Sequence, residues 1–177
     1  MKPFTASLMI LAALSSSPLA AQAADPVTKV EAERERTARV AQQLWDWAEL
    51  GYLEQRSSLL MIEELRGEGF TIETGVADIP TAFVAEWGSG GPVIAILAEY
   101  DALPGINQAA VATRAPVDGK AAGHACGHNL FGAGSLTAAI AVKNWLKATG
   151  TPGRIRLYGT PAQEAGSGKV YMARAGL

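Results

Sequence analysis

The chain has 177 residues, of which 49% are hydrophobic and 18% are charged. Its formal net charge is −2 and the charges of both signs are interspersed, which argues against a nucleic acid or an anionic membrane as its partner. This length is enough for one domain with its own hydrophobic core.

The first 23 residues have the pattern of an export signal. Lys2 supplies a basic end, residues 6–14 form a short apolar run, and residues 21–23, Ala-Gln-Ala, fit a small-x-small cleavage site. The apolar run is about half of the roughly 20 residues that a membrane span requires. We therefore expect a cleavable signal peptide over residues 1–23 and a periplasmic or secreted mature protein; an uncleaved anchor is the alternative.

Residues 27–69 are predicted to form two helices. The first carries a run of charged residues on its solvated face and an apolar side formed by Val40, Leu44 and Trp47. The second runs from Arg56 to Arg66 and ends at a Gly-Glu-Gly turn.

Three short strands are predicted next, over residues 70–73, 82–87 and 93–98. The third is continuously apolar, which favours a central strand that is covered on both faces. It is followed by Glu99 and Asp101. The crevice beyond the carboxyl ends of strands is where open α/β sheets place their sites, so these carboxylates are candidate site residues.

The segment Gly123–Asn129, GHACGHN, contains the only cysteine and both histidines of the chain. A thiolate and a neutral imidazole are the ligands that zinc and related divalent ions prefer. Cys126 and His128 stand just before a predicted helix, with Asn129 as its N-cap and Gly150 as its stop. The cluster predicts half of a metal site; the alternative is a buried structural cysteine beside two incidental histidines.

A further strand is predicted over residues 154–160, and it ends in a glycine-rich turn, residues 161–168, that contains Glu164. A final helical stretch begins at Lys169. Polar groups thus follow several strands and are expected to meet at one edge of the sheet, which indicates a catalytic site. A phosphate-loop interpretation of the Gly-Ser-Gly-Lys run is weak because the GxxxxGK[ST] spacing is lacking.

The chain resembles one known family in three motifs, which occur in the order AEYDALPGI, GHACGHN and YGTPAQEAGSGKVYMARAGL. This is the amidohydrolase branch of the two-metal aminoacylase and carboxypeptidase superfamily, the branch of the hippurate hydrolases and p-aminobenzoyl-glutamate hydrolases. The resemblance implies an α/β fold of the zinc-exopeptidase type, with a mixed sheet flanked by helices. Residues 27–177 would then be the N-terminal part of an incomplete catalytic domain, without the lid and dimerisation domain and the C-terminal part.

The resemblance also implies roles for individual residues. Cys126 matches the metal-bridging ligand, His128 a ligand of one metal and Glu164 a ligand of the other, in a full-length site that holds two divalent ions, Zn²⁺ or Mn²⁺. Asp101 falls where the family has an aspartate that organises the site, and Glu99 is left outside the ligand set. The implied reaction is hydrolysis of the amide bond of a small N-acyl or N-aroyl amino acid by an activated water, with a glutamate as proton shuttle.

The chain departs from the family pattern in two ways. The family turn reads PAEE, whereas this chain has PAQE, so that Gln163 occupies the position of the proton shuttle and cannot take a proton from water. Family members also run longer, and no histidine follows His128 in this chain. We therefore expect a truncated, inactive fragment of a hydrolase whose homodimer forms only at full length.

Two other functions stay open. One is a cysteine-nucleophile enzyme that pairs Cys126 with His124 or His128, a pair that is hard to form at this spacing. The other is a relative that binds a metal or ligand without catalysis, which the glutamine at position 163 motivates.

Overall fold

A computed structural model describes residues 25–177, so the signal peptide predicted over residues 1–23 lies outside the described residues. The helices are α1 (Pro26–Glu31), α2 (Arg34–Trp47), α3 (Gln55–Gly67), α4 (His128–Thr149) and α5 (Gly168–Arg174). The strands are β1 (Thr71–Thr74), β2 (Phe83–Ser89), β3 (Val93–Ala98), β4 (Leu103–Pro104), β5 (Ala122–Gly123) and β6 (Gly153–Gly159). Within the described range, none of the helices combines the length and the apolar character needed to cross a membrane.

The main sheet is built around β6. This strand pairs antiparallel with β2 and parallel with β3, and β1 extends the sheet beyond β2, so that the strand order is β1-β2-β6-β3. Alternate residues of β6 are buried: Ile155 and Leu157 enter the core, while Arg156 forms an ion pair with Glu86 of β2. Helices pack on both faces of this mixed sheet, and the predicted α/β fold class is confirmed.

The larger core lies between the sheet and helices α2, α3 and α4. Its fully buried side chains include Val40, Leu44, Met61, Leu65, Leu136, Ile140, Ile155 and Leu157. Gly132 of α4 allows the closest approach, because a Cβ atom at this position would lie 2.6 Å from the carbonyl oxygen of Glu99. The first turn of α4, with His128, is therefore held beside the residues that follow β3.

The N-terminal helices differ from the prediction. The first predicted helix is broken into α1 and α2, and none of the side chains of α1 is buried. Val40 and Leu44 are fully buried as predicted, whereas Trp47 is only partly buried. Its ring instead lies 5.2 Å from the guanidinium carbon of Arg56, a cation–π contact.

The position of β3 in the sheet was predicted wrongly, although its bounds were predicted correctly. Within the described residues it is an edge strand that pairs with β6 alone, and Val93, Ile94 and Leu97 are 42%, 50% and 45% exposed. A continuous apolar run indicates only that a strand can be buried on both faces, and it carries no information on which neighbours are present.

The start of α4 also differs from the prediction. The N-cap is Gly127, in the left-handed conformation with φ 89°, and the helix begins at His128. Asn129 lies inside the first turn and is buried, and its side-chain amide donates to the carbonyl oxygen of Ala41 in α2 at 3.2 Å. The tertiary contact between α2 and α4 therefore replaces the local capping role that sequence position suggested.

Candidate metal centre

Cys126, His128 and Glu164 come together at one edge of the sheet. Cys126 lies in the loop before α4, His128 is the first residue of α4, and Glu164 lies in the turn that follows β6. One ligand atom from each residue, the thiol sulfur, an imidazole nitrogen and a carboxylate oxygen, lies within 4.8 Å of the other two. A thiolate, an imidazole and a carboxylate form a donor set that suits zinc and similar divalent ions.

Asp101 fixes the orientation of the His128 ring. The Nδ1 atom of His128 lies 2.9 Å from Oδ1 of Asp101 and 3.1 Å from the Asp101 carbonyl oxygen, and both side chains are buried. Both partners of Nδ1 are acceptors, so a proton on Nδ1 is donated in a hydrogen bond to Asp101. When a metal is bound, the other ring nitrogen, Nε2, would be its ligand, as in a carboxylate–histidine–metal triad.

The same aspartate also holds the turn that carries Glu164. The second carboxylate oxygen of Asp101, Oδ2, accepts a hydrogen bond from the backbone N–H of Glu164 at 2.8 Å. One buried carboxylate therefore connects the start of α4 to the turn after β6. Burial tends to raise the pKa of Asp101, but its hydrogen bonds from His128 and from the Glu164 N–H lower it overall, so this group is a carboxylate at neutral pH.

Two further carboxylates lie near the Nε2 atom of His128. Oε2 of Glu99 lies 2.8 Å from Nε2, and Oε1 of Glu164 lies 3.9 Å from Nε2. Burial tends to lower the pKa of His128, but the Asp101 hydrogen bond and the charges of Asp101, Glu99 and Glu164 outweigh it and raise the pKa. The other oxygen of Glu99 pairs with Lys169 of α5.

Two further observations fit a cation at this point. Oε1 of Glu164 is buried and has no hydrogen-bond partner among the described residues, which leaves a lone pair free for a metal. The thiol of Cys126 faces the carboxylate of Glu164, and this carboxylate, with partial desolvation and the charges of Glu99 and Asp101, raises the pKa of the thiol. A bound cation would satisfy the Glu164 oxygen and favour the thiolate at once.

The same contacts argue against a cysteine nucleophile. The Nε2 atom of His124 lies 2.9 Å from the carbonyl oxygen of Leu44, and the ring is buried away from the thiol ligand set. The thiol of Cys126 lies beside the carboxylate of Glu164, which raises the pKa of the thiol, whereas an activated nucleophile has a lowered pKa.

Gln163 directly precedes Glu164 in the turn that follows β6, and its side chain is exposed. Glu54 also reaches this turn, a contact that the sequence pattern did not indicate. Its carboxylate is completely buried and accepts a hydrogen bond from the backbone N–H of Ala162, 108 residues further along the chain. A glutamate between two helices gives no local signal of such a contact, and only the tertiary structure reveals it.

Known proteins resemble this chain both in sequence and in fold. Residues 95–177 match the model of peptidase family M20/M25/M40. Over 149 residues the chain is 46% identical to a component of the p-aminobenzoyl-glutamate hydrolase of Escherichia coli K12, a match that covers 84% of this chain and 31% of that protein. It is 31% identical over 160 residues to the Xaa-Arg dipeptidase of Mus musculus, with 84% of this chain and 33% of the relative covered. The chain thus spans about a third of the length of these relatives.

Solved structures show the same relationship. A dinuclear metal-binding peptidase of family M20 from Bacillus subtilis matches with a TM-score of 0.63 and 29% identity, over 82% of this chain and 40% of that chain. An aminohydrolase from Staphylococcus aureus shares the fold with a TM-score of 0.71 and 24% identity, over 85% of this chain and 38% of that one. These matches agree with the motifs and with the fold: residues 95–177 carry the pattern of peptidase family M20/M25/M40, and the chain as a whole is similar to a hydrolase component and to a dinuclear metal-binding peptidase.

Proposed function

We propose that this chain carries part of the active centre of a metal-dependent amidohydrolase that cleaves the amide bond of N-acyl or N-aroyl amino acids. The observation that carries the proposal is the convergence of Cys126, His128 and Glu164 within 4.8 Å, with a buried oxygen on Glu164 that has no hydrogen-bond partner among residues 25–177. The similarity to the p-aminobenzoyl-glutamate hydrolase component supports aroyl-glutamate conjugates as the substrate class.

The residues of the chain have separate tasks in this proposal. Cys126, His128 and Glu164 would hold a divalent ion, which when bound polarises the substrate carbonyl and lowers the pKa of an attacking water. Asp101 keeps the His128 ring in the tautomer that frees Nε2 and holds the backbone of Glu164 in place. Gln163, exposed at the same turn, can donate to or accept from a water and so orient it, but cannot take its proton.

Several finer points belong to the same proposal and rest on the sequence and on the relatives. Zinc or manganese is the proposed metal, with two ions in a full-length site and one or more in this chain. A periplasmic or secreted location is proposed from the pattern of residues 1–23, and homodimerisation is proposed for a full-length form alone. We also propose that the 177-residue chain by itself hydrolyses amides weakly or not at all, since Gln163 provides no base.

Metal analysis tests the proposal directly. We expect the purified chain to hold at least about one equivalent of Zn²⁺, Mn²⁺ or Co²⁺ and to lose it to a chelator, because the donor set matches structural and catalytic zinc sites. Cys126→Ser should abolish tight binding, while Ser58→Ala, a hydroxyl removed from the buried face of α3, should leave it intact. Wild-type protein that binds no divalent ion in calorimetry would overturn the proposed metal centre.

The affinity for metal should depend on pH. Binding requires a neutral imidazole and a thiolate, and the surroundings raise the pKa of both His128 and Cys126. Protons therefore compete with the metal at higher pH than they would at free side chains, and affinity should rise with pH. We expect at least about tenfold tighter Zn²⁺ binding at about pH 8 than at about pH 6, with protons released on binding. Calorimetry in two buffers of different ionisation enthalpy measures both quantities; affinity that does not change with pH would contradict this expectation.

A second function, metal or ligand binding without catalysis, is favoured by one observation, the glutamine at the base position. This function requires the same metal centre, and it differs from the first in that a glutamate at position 163 would not restore hydrolysis.

A further inference from the structure

The short segment between α2 and α3, residues 51–54, packs against the turn that carries Gln163 and Glu164. Its last residue, Glu54, is completely buried. Oε1 of Glu54 accepts a hydrogen bond from the backbone N–H of Ala162 at 2.8 Å, immediately before Gln163. The segment has no part in the donor set, yet it holds the backbone from which two site residues project.

The other oxygen of Glu54 connects the turn to the interior of the protein. Oε2 accepts a hydrogen bond from the hydroxyl of Thr81 at 2.9 Å, and the carbonyl oxygen of Thr81 accepts one from the hydroxyl of Tyr100 at 2.6 Å. Tyr100 is fully buried and directly precedes Asp101. A buried carboxylate is unfavourable unless its oxygens are satisfied, and here each oxygen has a partner on a different element.

The backbone at Ala162 requires such support. Ala162 has a φ of 55°, in the left-handed region that is unfavourable for residues other than glycine. Such a conformation persists where surrounding contacts determine it. Besides the Glu54 hydrogen bond, the hydroxyl of Tyr52 donates to the carbonyl oxygen of Gly166, and a Cβ atom on Gly51 would lie 2.9 Å from the Cα of Ala162. Residues 51–54 therefore contact the turn at both of its ends.

We propose that Glu54 is a positioning residue of the metal centre: its carboxylate holds Ala162 in the left-handed conformation and thereby sets where Gln163 and Glu164 lie relative to His128. This inference rests on the proposed metal centre. Ligand distances in a metal site tolerate deviations of about 0.2 Å. A shift of the turn by even a fraction of an ångström would therefore move the Glu164 oxygen out of range of a metal held by His128 and Cys126.

Three variants at this position test the proposal with Co²⁺ as the probe. Glu54→Ala removes the acceptor for the Ala162 N–H and should weaken Co²⁺ binding by about tenfold or more, the effect typical of groups that orient ligands. It should also shift the visible absorption bands of the bound Co²⁺, which report ligand geometry. Glu54→Gln keeps a carbonyl oxygen in the same place and should restore both affinity and spectrum. Aspartate is too short to reach Ala162, so Glu54→Asp should show the same loss of affinity and the same spectral shift as Glu54→Ala. This variant tests the proposal if Glu54→Ala does not fold.

A control separates positioning from a general loss of stability. Glu68 pairs with Lys143 and Arg36 at the opposite end of α3 and has no contact with the turn. Glu68→Ala should lower the free energy of unfolding while the Co²⁺ affinity and spectrum stay unchanged. Equal affinity and spectrum for wild type, Glu54→Ala and Glu54→Asp would overturn the proposal.

Backbone hydrogen exchange can be measured without metal, so it tests the role of Glu54 separately from the proposed metal centre. Glu54→Ala and Glu54→Asp should speed exchange of the Ala162 N–H, and Glu54→Gln should not, whereas the N–H of Ala85 in β2 should be unaffected in all three. Wild-type protein that binds no Co²⁺ while this exchange pattern holds would refute the metal centre alone. Unchanged exchange at Ala162 in the alanine and aspartate variants would refute the role of Glu54.

Discussion

Replacing Gln163 by glutamate is expected to raise the rate of amide hydrolysis by about 10²- to 10⁴-fold, the contribution typical of a general base. The side chain is exposed, so that a carboxylate can be placed there without a desolvation penalty that would unfold the turn. The measurement is kcat/KM for p-aminobenzoyl-glutamate and hippurate, made on the 177-residue chain and on any longer product of the same locus. A new acidic limb in the pH profile should accompany the gain, because the new carboxylate must be ionised to act as a base.

The control for this substitution is Gln43→Glu. Gln43 lies on α2, one turn from Arg39, which donates a hydrogen bond to it. The substitution adds the same negative charge as Gln163→Glu, but far from the metal centre and beside the positive charge of Arg39. It should leave hydrolysis unchanged. If Gln163→Glu binds metal as tightly as the wild type and is equally inert in the longer product, the protein is a metal or ligand binder, and the amidohydrolase proposal is wrong.

Most of the fold could be predicted because local patterns determine it. The continuous apolar run predicted the bounds of strand β3 correctly. In β6, the alternation of apolar and polar residues predicted which side chains face the core. The convergence of polar groups was also predictable, since the residues that follow β3 and β6 must emerge at the same edge of a sheet in which these two strands are parallel neighbours. Proximity in sequence then brings Cys126 and His128 to the same point.

The errors concern features that depend on neighbours distant in sequence. The run of residues in β3 is the same whether or not another strand or helix covers it, so its exposure followed only from the strand order. Asparagine is a residue type that favours the N-cap position, but the side-chain amide of Asn129 instead donates to the carbonyl oxygen of Ala41 in α2. The contact between Glu54 and Ala162 joins residues 108 positions apart, and no periodicity or motif reports such a pair.

The distribution of charges at the site favours the binding of a cation there. Glu99, Asp101 and Glu164 lie around one imidazole, and the positive charges near them are that of Lys169, which pairs with Glu99, and that of His128 itself when it is protonated. The raised pKa of His128 is thus a consequence of the same carboxylates that would bind the metal. A protonated ring must release its proton before Nε2 can bind a metal, so the raised pKa makes metal binding compete with protons.

Asp101→Asn is expected to weaken metal binding by about 10- to 100-fold, the range seen for groups that orient metal-ligating histidines. The carboxylate accepts hydrogen bonds from His128 Nδ1 and from the backbone N–H of Glu164, one at each oxygen. Asparagine offers one acceptor and one donor, so that either the imidazole or the Glu164 N–H meets an N–H group in place of an acceptor. The measurement is Zn²⁺ affinity by competition with a chromophoric chelator.

The pH dependence of the loss of Zn²⁺ affinity shows whether Asp101 acts on the His128 ring or whether its replacement disrupts the site in general. Without the Asp101 charge and hydrogen bond, the pKa of His128 should fall, so that protons compete less with the metal in the variant than in the wild type. The ratio of wild-type to variant affinity should therefore narrow as the pH is lowered from about 8 to about 6. Asp46→Asn, at an exposed aspartate of α2, should show neither effect. A ratio that stays constant over this range would show that Asp101 acts on the turn of Glu164 alone, and an affinity equal to that of the wild type would exclude any role for it in holding the metal.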